Sequence, residues 1–358
     1  MQLGIYGGDD LEVRIGETQS IIPLQERTCP CGYVFKLANG EIVVGGPTWP
    51  EISRLPSADR ASSWRRSRDG GKTWREAPAW SSYNACQLSD GEIIHTSGGL
   101  LVETDQEGVY NLPLYCSTDN GYTHKEGTAT LIGIPKLAKE NSPWSKKGAC
   151  QGYVYHITKR LQEDSLLACI DAKFKSDTKA RSIVVQSIDR GKTWNYLSTV
   201  AFDLTKGKEV RREGFTEPDL LVLPNGDILC FMRTGGDYND RYTAPLYMSR
   251  SKDGGKTWGH ADPIADLGVY PKACLMANGV IAVVYGRPGD WLMFSLDQGE
   301  TWVGHFCFHK GPEPNDCGNY DCIEEIAPDT LLVTYGRTDP NDCMKSEILG
   351  TYITVKPK

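Results

Sequence analysis

The stretch SRDGGKTW at residues 67–74 decides the fold, because close copies of it return along the chain. Its frame is Ser-x-Asp-x-Gly-x-Thr-Trp, and the other copies are STDNGYTH at 117, SIDRGKTW at 187, SKDGGKTW at 251 and SLDQGETW at 295. The Asp side chain can accept hydrogen bonds from its own turn, and Gly supplies a positive φ that other residues resist. The Trp is a large apolar body that packs on neighbouring strands. We therefore interpret the octapeptide as a structural turn, since one carboxylate per turn is too few for a calcium site.

A second repeat lies between the octapeptides: an apolar run, a short turn and a second apolar run. The copies are YVFKLANGEIVV (33–44), NACQLSDGEIIH (84–95), VYHITKRLQEDSLLACI (154–170), LLVLPNGDILCFMR (220–233), KACLMANGVIAVVYGR (272–287) and CIEEIAPDTLLVTYGR (322–337). Asn-Gly and Asp-Gly between apolar runs indicate β-hairpins. A third strand, the octapeptide and a fourth strand follow each hairpin. The repeats predict an all-β protein, a six-bladed β-propeller of four-stranded antiparallel blades forming a single domain over residues 1–358.

The sixth unit has no octapeptide, so its outer strand is expected from one of the two ends of the chain. The candidates are the terminal segment ILGTYITV and the N-terminal segment. No long stripe of apolar residues with a period of 3.6 appears, so no helix is predicted.

Composition and charge exclude several classes of protein. Apolar residues make up 39% of the 358-residue chain, with 38 Gly and 20 Pro, which is typical of a turn-rich globular β protein. The formal net charge of −7 argues against a general nucleic-acid binder. No apolar run is long enough to span a membrane. The first residues lack a basic and apolar leader, so we expect a cytoplasmic protein, or a mature secreted chain that begins here.

The 12 cysteines are scattered singly, apart from Cys29 and Cys31. Zinc sites favour paired spacings that are missing here, so no metal and no cofactor are predicted. Most cysteines are expected to be free thiols that behave as small hydrophobes, as in a reducing compartment, with disulfides as the alternative. Four of them stand in apolar stretches: Cys86, Cys169, Cys230 and Cys274.

Chain direction predicts where a ligand would bind. In each unit the first strand starts and the second ends at one face, whereas the hairpin turn and the octapeptide lie at the other. The polar and aromatic residues at the first face are Trp49, Glu51, Arg54, Asp59, Arg60, Tyr83, Asn84, His95, Gln151, Asp171, Lys173, Glu217, Arg233, Tyr270, Lys272, Arg287, Tyr320 and Arg337. Arginine forks match carboxylates in bidentate fashion, so several arginines at one face predict a small anionic ligand.

Five such boxes on a six-fold hairpin repeat resemble the Asp-box, or BNR, repeats of the sialidase (neuraminidase) superfamily over nearly the whole chain. The resemblance implies a retaining exo-glycosidase that hydrolyses a terminal acidic sugar, sialic acid or a related ulosonic or uronic acid, from an oligosaccharide. It implies that Tyr320 is the nucleophile, that Glu217 is its base, and that Arg233 and Arg287 hold the carboxylate. A carboxylate beside a phenol can accept its proton, and a Tyr avoids the repulsion between a carboxylate nucleophile and an anionic sugar.

The chain departs from the family's pattern in its first unit. The family's first arginine lies in a Phe/Tyr-Arg-Ile-Pro segment, where this chain has CPCG at 29–32, with Arg27 as the nearest arginine. Asp59 is the candidate acid/base, with Glu51 as the runner-up. Arg337 or Arg60 is predicted to complete the carboxylate site, and Tyr270 and Trp49 are predicted to stack on the sugar.

Two other functions stay open. The missing first arginine favours a propeller lyase or hydrolase for uronate-containing oligosaccharides, with a Tyr or His base. His95 and His156 are candidates for that base, although each is interpreted first as a hydrogen-bonded strand residue. The unaligned acid/base favours a non-catalytic sugar-binding propeller.

Overall fold

The computed structural model describes residues 5–6, 10–26, 32–46, 63–78, 84–96, 100–140, 147–159, 165–203, 214–235, 244–310, 320–339 and 341–358. These residues form strands and turns without any helix, which confirms the all-β class for this part of the chain. No helix within it is long and apolar enough to cross a membrane.

The strands are numbered in chain order. They are β1 (Ile5–Tyr6), β2 (Leu11–Glu26), β3 (Tyr33–Lys36), β4 (Ile42–Gly46), β5 (Ser63–Ser67), β6 (Arg75–Ala77), β7 (Cys86–Gln87), β8 (Ile93–Thr96), β9 (Leu100–Glu103), β10 (Val109–Ser117), β11 (Lys125–Ile132), β12 (Ala149–Lys159), β13 (Leu166–Ala172), β14 (Arg181–Ser187), β15 (Thr193–Ala201), β16 (Thr216–Val222), β17 (Ile228–Arg233), β18 (Leu246–Ser251), β19 (Asp262–Ala265), β20 (Val269–Leu275), β21 (Ile281–Gly286), β22 (Asp290–Ser295), β23 (Val303–His309), β24 (Cys322–Ala327), β25 (Thr330–Asp339) and β26 (Asp342–Pro357).

The hairpin turns close in the way that their sequences predict. Between β3 and β4, Leu37 N–H donates to Glu41 O over 2.8 Å and Gly40 N–H donates to Leu37 O over 2.8 Å. The Asn39 side chain accepts from Glu41 N–H over 3.0 Å. Gly40 has a φ of +86°, which its missing side chain permits. The same three bonds recur in the turns at 88–92, 223–227 and 276–280.

The chain divides into two compact units, which are Met1–Trp80 with Gly268–Lys358, and Ser81–Leu267. The first unit contains two four-stranded antiparallel sheets, β3-β4-β5-β6 and β20-β21-β22-β23, as predicted. Its third sheet has the order β24-β25-β26-β2-β1, so both ends of the chain complete the last repeat. The long seam between β2 and β26 runs from the pair Leu11 and Pro357 to the pair Glu26 and Lys345. The single domain over residues 1–358 stays a prediction.

The second unit joins two predicted sheets that the sequence suggested would be separate. Besides the four-stranded sheet β16-β17-β18-β19, it contains a nine-stranded sheet. In that sheet β7-β8-β10-β11 and β12-β13-β14-β15 are four-stranded antiparallel groups. The short strand β9 pairs with both β10 and β12, and β11 pairs with β15 in parallel. Seven strands therefore form a closed circuit of hydrogen-bonded neighbours.

Apolar side chains between the sheets form the core of each unit. In the first unit Val13, Phe294, Tyr335 and Ile353 belong to one buried cluster. In the second unit Trp194, from an octapeptide, is buried in the main cluster, as predicted for this residue type. The free-thiol prediction is confirmed for the described cysteines: Cys86, Cys116, Cys150, Cys169, Cys230, Cys274, Cys307 and Cys322.

The octapeptide is a turn that is held by its own side chains. In the first copy Ser67 Oγ accepts from Gly71 N–H over 2.8 Å and donates to Asp69 Oδ1 over 2.8 Å. The Asp69 carboxylate accepts from Thr73 N–H over 2.9 Å and from Thr73 Oγ1–H over 2.6 Å. The hydrogen bonds from Thr73 and Ser67 hold the pKa of Asp69 well below its usual range. The bonds between Ser and Gly, Ser and Asp, and Asp and Thr recur in the other four copies.

Two successive residues of each octapeptide have a positive φ, whereas the sequence predicted only one. The expected Gly has a φ between +79° and +87° in all five copies. The residue before it is also left-handed, at +56° to +74°, and three copies have a side chain there: Asn120, Arg190 and Gln298. The side-chain hydrogen bonds of the turn hold this backbone against its intrinsic preference.

We expect Gly71→Ala to destabilise the protein more than Gly70→Ala. A Cβ on Gly71 would lie 2.8 Å from the hydroxyl of Tyr352, whereas a Cβ on Gly70 would meet nothing within 4 Å. Gly70→Ala should cost about 1 kcal/mol, the strain of a left-handed alanine, and Gly71→Ala about 2–4 kcal/mol. Urea unfolding of the two variants measures the difference. Equal losses would mean that Tyr352 moves aside at no cost.

Candidate functional site

In the second unit, the structure brings together two of the predicted site residues. Glu217 lies at the start of β16 and Arg233 at the end of β17. The two strand ends adjoin because Thr216 pairs with Arg233 across the ladder. Arg233 Nη1 donates to Glu217 Oε1 over 2.8 Å, and both side chains are buried. A charge-assisted bond of this kind fixes the orientation of both groups.

In the first unit, four further residues of the predicted face pack together. The rings of Tyr270 and Tyr320 meet edge to face, with centroids 4.6 Å apart. Arg287 Cζ lies 5.9 Å from the centroid of the Tyr320 ring, and Lys272 Nζ lies 5.2 Å from that of Tyr270. Two cations therefore lie against the faces of two adjoining tyrosines, an arrangement that electrostatic attraction to the rings stabilises. We call these four residues the tyrosine cluster.

Glu217 and Tyr270 share an unusual backbone conformation. Their φ values are +46° and +48°, and a proline follows each of them. In both strands the ladder is interrupted at this point and resumes two residues later, at Asp219 and Lys272. A left-handed residue with a side chain costs about 1–3 kcal/mol and is found preferentially at functional sites. Aligning TEPDLLVLPNG with VYPKACLMANG shows this correspondence in the sequence.

The connection that carries Arg287 is held on two sides. It joins β21 to β22, and Trp291 Nε1–H donates to Pro288 O over 2.7 Å. The buried carboxylate of Asp290 lies 2.5 Å from His309 Nδ1. These contacts fix the connection, so that the direction of the arginine is set by the scaffold.

The other predicted site residues are not gathered in either place. The guanidinium of Arg337 pairs with Glu347 on the neighbouring strand β26, and more than half of the arginine side chain is exposed. Its role in carboxylate binding stays a prediction. Asp59, Arg60, Trp49 and the runner-up Glu51 lie outside the described residues.

Two polar residues of the candidate face have structural roles in the second unit. The Asn84 amide donates to Thr96 Oγ1 over 2.8 Å and to Val154 O over 3.1 Å, and is fully buried. His95 Nε2 lies 3.1 Å from Nδ1 of His124, the residue that replaces the octapeptide Trp. Burial, together with the charge of His124, lowers the pKa of His95 to about 3. His95 is therefore a neutral, hydrogen-bonded strand residue at ordinary pH.

His156 has a different environment, which the sequence did not indicate. Its Nδ1 atom lies 3.0 Å from Oδ1 of Asp219, a buried carboxylate two residues beyond Glu217. The sequence does not single out Asp219, because an acidic residue within an apolar run has no recognisable spacing to a histidine on another repeat.

Glu324 is a second group that the sequence did not single out. It lies on β24, four residues after Tyr320. Burial raises the pKa of its carboxyl to about 7; Lys36 opposes this shift and Glu325 adds to it. The carboxylate form is therefore less stable in the folded protein than in the unfolded chain.

We expect Glu324→Gln to stabilise the protein at alkaline pH. A pKa raised from 4.5 to about 7 means that the free energy of unfolding falls as pH rises through this interval. Glutamine cannot ionise, so the variant should gain about 1–2 kcal/mol at pH 8 and nothing at pH 4. Thermal unfolding across this range measures the gain, with the exposed Glu76→Gln as control. A gain that does not depend on pH would contradict this account.

Comparison with known proteins agrees with the fold. Residues 158–331 match the family described as BNR repeat-like domain. No curated protein matches the chain significantly. One similar structure is a protein of unknown function from Dyadobacter fermentans DSM 18053, 20% identical with a TM-score of 0.72, covering 96% of this chain and 99% of that one.

Two others are glycoside hydrolases. The GH93 α-L-arabinofuranosidase of Fusarium graminearum, in complex with arabinobiose, is 16% identical with a TM-score of 0.65, covering 95% of this chain and 98% of that one. A variant of NanB sialidase from Streptococcus pneumoniae is 12% identical with a TM-score of 0.61, covering 94% of this chain and 70% of that one. Residues 158–331 thus match the BNR repeat-like family, and the chain shares the fold of these two glycoside hydrolases, so the predicted resemblance is confirmed.

Proposed function

We propose that the chain is a retaining exo-glycosidase that releases a terminal acidic sugar from an oligosaccharide. The observation that carries the proposal is the tyrosine cluster. In this cluster Tyr320, Tyr270 and Arg287, which the sequence predicts as site residues, lie together. The glycoside hydrolases with the same fold support the general class of activity. The six-bladed arrangement of the sheets is part of the proposal.

The proposed chemistry assigns one role to each group. The Tyr320 oxygen attacks the anomeric carbon while the bond to the leaving group breaks, and Glu217 takes the phenol proton. Water then hydrolyses the glycosyl-tyrosine, which gives net retention. The Arg287 guanidinium lies beside the Tyr320 ring, where it can bind the carboxylate of the sugar. A tyrosine replaces one of the two carboxylates that most glycosidases use.

The tyrosine cluster also supports an acidic substrate. Its arginine and its buried lysine contribute two positive charges against aromatic surface. An anionic sugar offers a carboxylate to these cations and an apolar ring face to the tyrosines. A neutral pentose offers only the ring face.

We expect Tyr320→Phe to lower turnover by at least about 10³-fold, because the phenyl ring keeps the packing but has no nucleophilic oxygen. The assay uses aryl glycosides of sialic acid, deaminated sialic acid, a uronic acid and L-arabinofuranose. Tyr122→Phe, in an octapeptide, is the control. Full activity of Tyr320→Phe would exclude the mechanism, and hydrolysis of the arabinofuranoside alone would exclude the acidic substrate.

A second candidate is elimination from a uronate-containing oligosaccharide. The observation that favours it is the imidazole of His156 beside the buried Asp219, since a lyase needs a base to remove the proton next to the carboxylate. A new carbon–carbon double bond absorbs in the ultraviolet. Its appearance with uronate oligomers, without hydrolysis of the aryl glycosides, would select this function.

A further inference from the structure

The pairing of His156 with Asp219 has the geometry of an oriented proton-transfer group. The carboxylate is 1% exposed as a side chain, whereas the imidazole is 27% exposed. The buried acid thus anchors a histidine that is partly exposed. An anchored imidazole of this kind serves as a general acid or base in many enzymes.

The contacts of the ring decide which nitrogen is available. Nδ1 accepts a hydrogen bond from Leu220 N–H over 3.3 Å and lies 3.0 Å from Asp219 Oδ1. Both contacts are made by Nδ1, so Nε2 is the nitrogen that can exchange a proton with a ligand.

The pair shares strand β16 with the Glu217–Arg233 ion pair. Asp219 is two residues from Glu217, so their Cα atoms are at most about 7 Å apart. Both flank the interruption of β16, where the backbone of Glu217 is left-handed. The strand that carries His156, β12, also has a bulge, which falls immediately before this residue. Bulges re-aim side chains and are frequent beside active sites.

Two other His–Asp contacts show what distinguishes this one. His260 and Asp262 lie 2.9 Å apart with side chains 86% and 72% exposed, so their contact is weakly held in water. His309 also meets a buried Asp290, but it lies on the last strand of its sheet and its ring packs on Tyr335, with centroids 4.7 Å apart. His156 lies on the first strand of its four-stranded group, as Glu217 does.

We propose that His156 is the proton-transfer residue of the active site and that Asp219 is its positioning residue; this inference rests on the proposed function. In the first step the imidazolium Nε2–H bond breaks and its proton goes to the glycosidic oxygen. The bond between that oxygen and the anomeric carbon breaks as the bond to the nucleophile forms, so the leaving group departs as a neutral alcohol. In the second step the neutral imidazole takes a proton from the attacking water, which restores the imidazolium.

The first arm of the test measures turnover of the same aryl glycosides by the full chain. His156→Gln should lose about 10²- to 10⁴-fold with a methylumbelliferyl leaving group and much less with dinitrophenyl, which needs no protonation. Asp219→Asn should give an intermediate loss and an altered pH–rate profile. The exposed His260→Gln is the matched control and should match the unmodified protein. Equal losses with both leaving groups, or an unchanged pH–rate profile in His156→Gln, would overturn the inference while the proposed function stands.

The second arm does not depend on any substrate. Diethyl pyrocarbonate, with modified peptides identified by mass spectrometry, should acylate His156 at Nε2 and leave the buried His95 unmodified. Asp219→Asn should change the rate at His156 by at least about 5-fold without changing that at His260. An unreactive His156, or one indifferent to Asp219→Asn, would overturn the inference. If no glycoside is hydrolysed the proposed function fails, and this arm decides the inference alone.

Discussion

Arg233→Met is expected to lower the free energy of unfolding by about 3–5 kcal/mol, one of the largest losses for a single substitution in this chain. The substitution keeps most of the side-chain volume but removes the guanidinium that donates to Glu217 over 2.8 Å. Because Glu217 is buried, its carboxylate would retain the cost of desolvation without this compensating charge. The left-handed backbone at Glu217 would also lose a contact that holds it in place.

Denaturant unfolding of this variant, of a control variant and of a double variant measures the effect. Arg250→Met is the matched control, since Arg250 lies on β18 of the same sheet and pairs with the less buried Asp227 over 2.9 Å. It should lose about 1 kcal/mol. The double variant Arg233→Met with Glu217→Leu should recover most of the loss, because no buried charge is left. A double variant as unstable as the single one would show that packing, rather than charge, explains the result.

Ile22→Ala is expected to cost about 3 kcal/mol, because it opens a cavity where the N-terminal strand enters the core. Ile22 is fully buried among Ile348 of β26 and Leu332 of β25. Leu24, two residues further along β2, is 47% exposed, so Leu24→Ala should change the stability by less than about 0.5 kcal/mol. Chemical unfolding of both variants tests this contrast. Similar values for the two would mean that β2 does not form part of the cooperative core.

Much of the fold was predictable because the turns are defined by local chemistry. The hairpin at Gly40 and the octapeptide at Asp69 each need particular residues at fixed positions, so the sequence records them directly. The strand β9 has no such signature, and its pairing with β10 and β12 joins two groups that local patterns suggested were separate. Pairing across more than 300 residues leaves no local pattern, so the sequence predicts only that one of the two ends of the chain supplies the outer strand, whereas β2 and β26 both take part.

The predictable part of the candidate site consists of residues that lie at strand ends. Glu217 and Arg233, which the repeat places at the start and end of a hairpin, form an ion pair. Tyr320 and Tyr270, predicted from equivalent positions, are in ring contact. The partnership of His156 with Asp219 depends on two strands from different repeats, so only the packed structure shows it. The left-handed backbone at Glu217 and Tyr270 could have been suspected from the proline that follows each residue.

The seam between β2 and β26 also determines the order in which the protein can assemble during synthesis. β2 is synthesised before the second unit and β26, which pairs with it, is synthesised after that unit. The first unit therefore cannot complete its core until β26 has been made. The second unit, Ser81–Leu267, is continuous in sequence and has all its strands available earlier. Until β26 has been made, the apolar residues of β2 lack the strand that buries them in the finished protein.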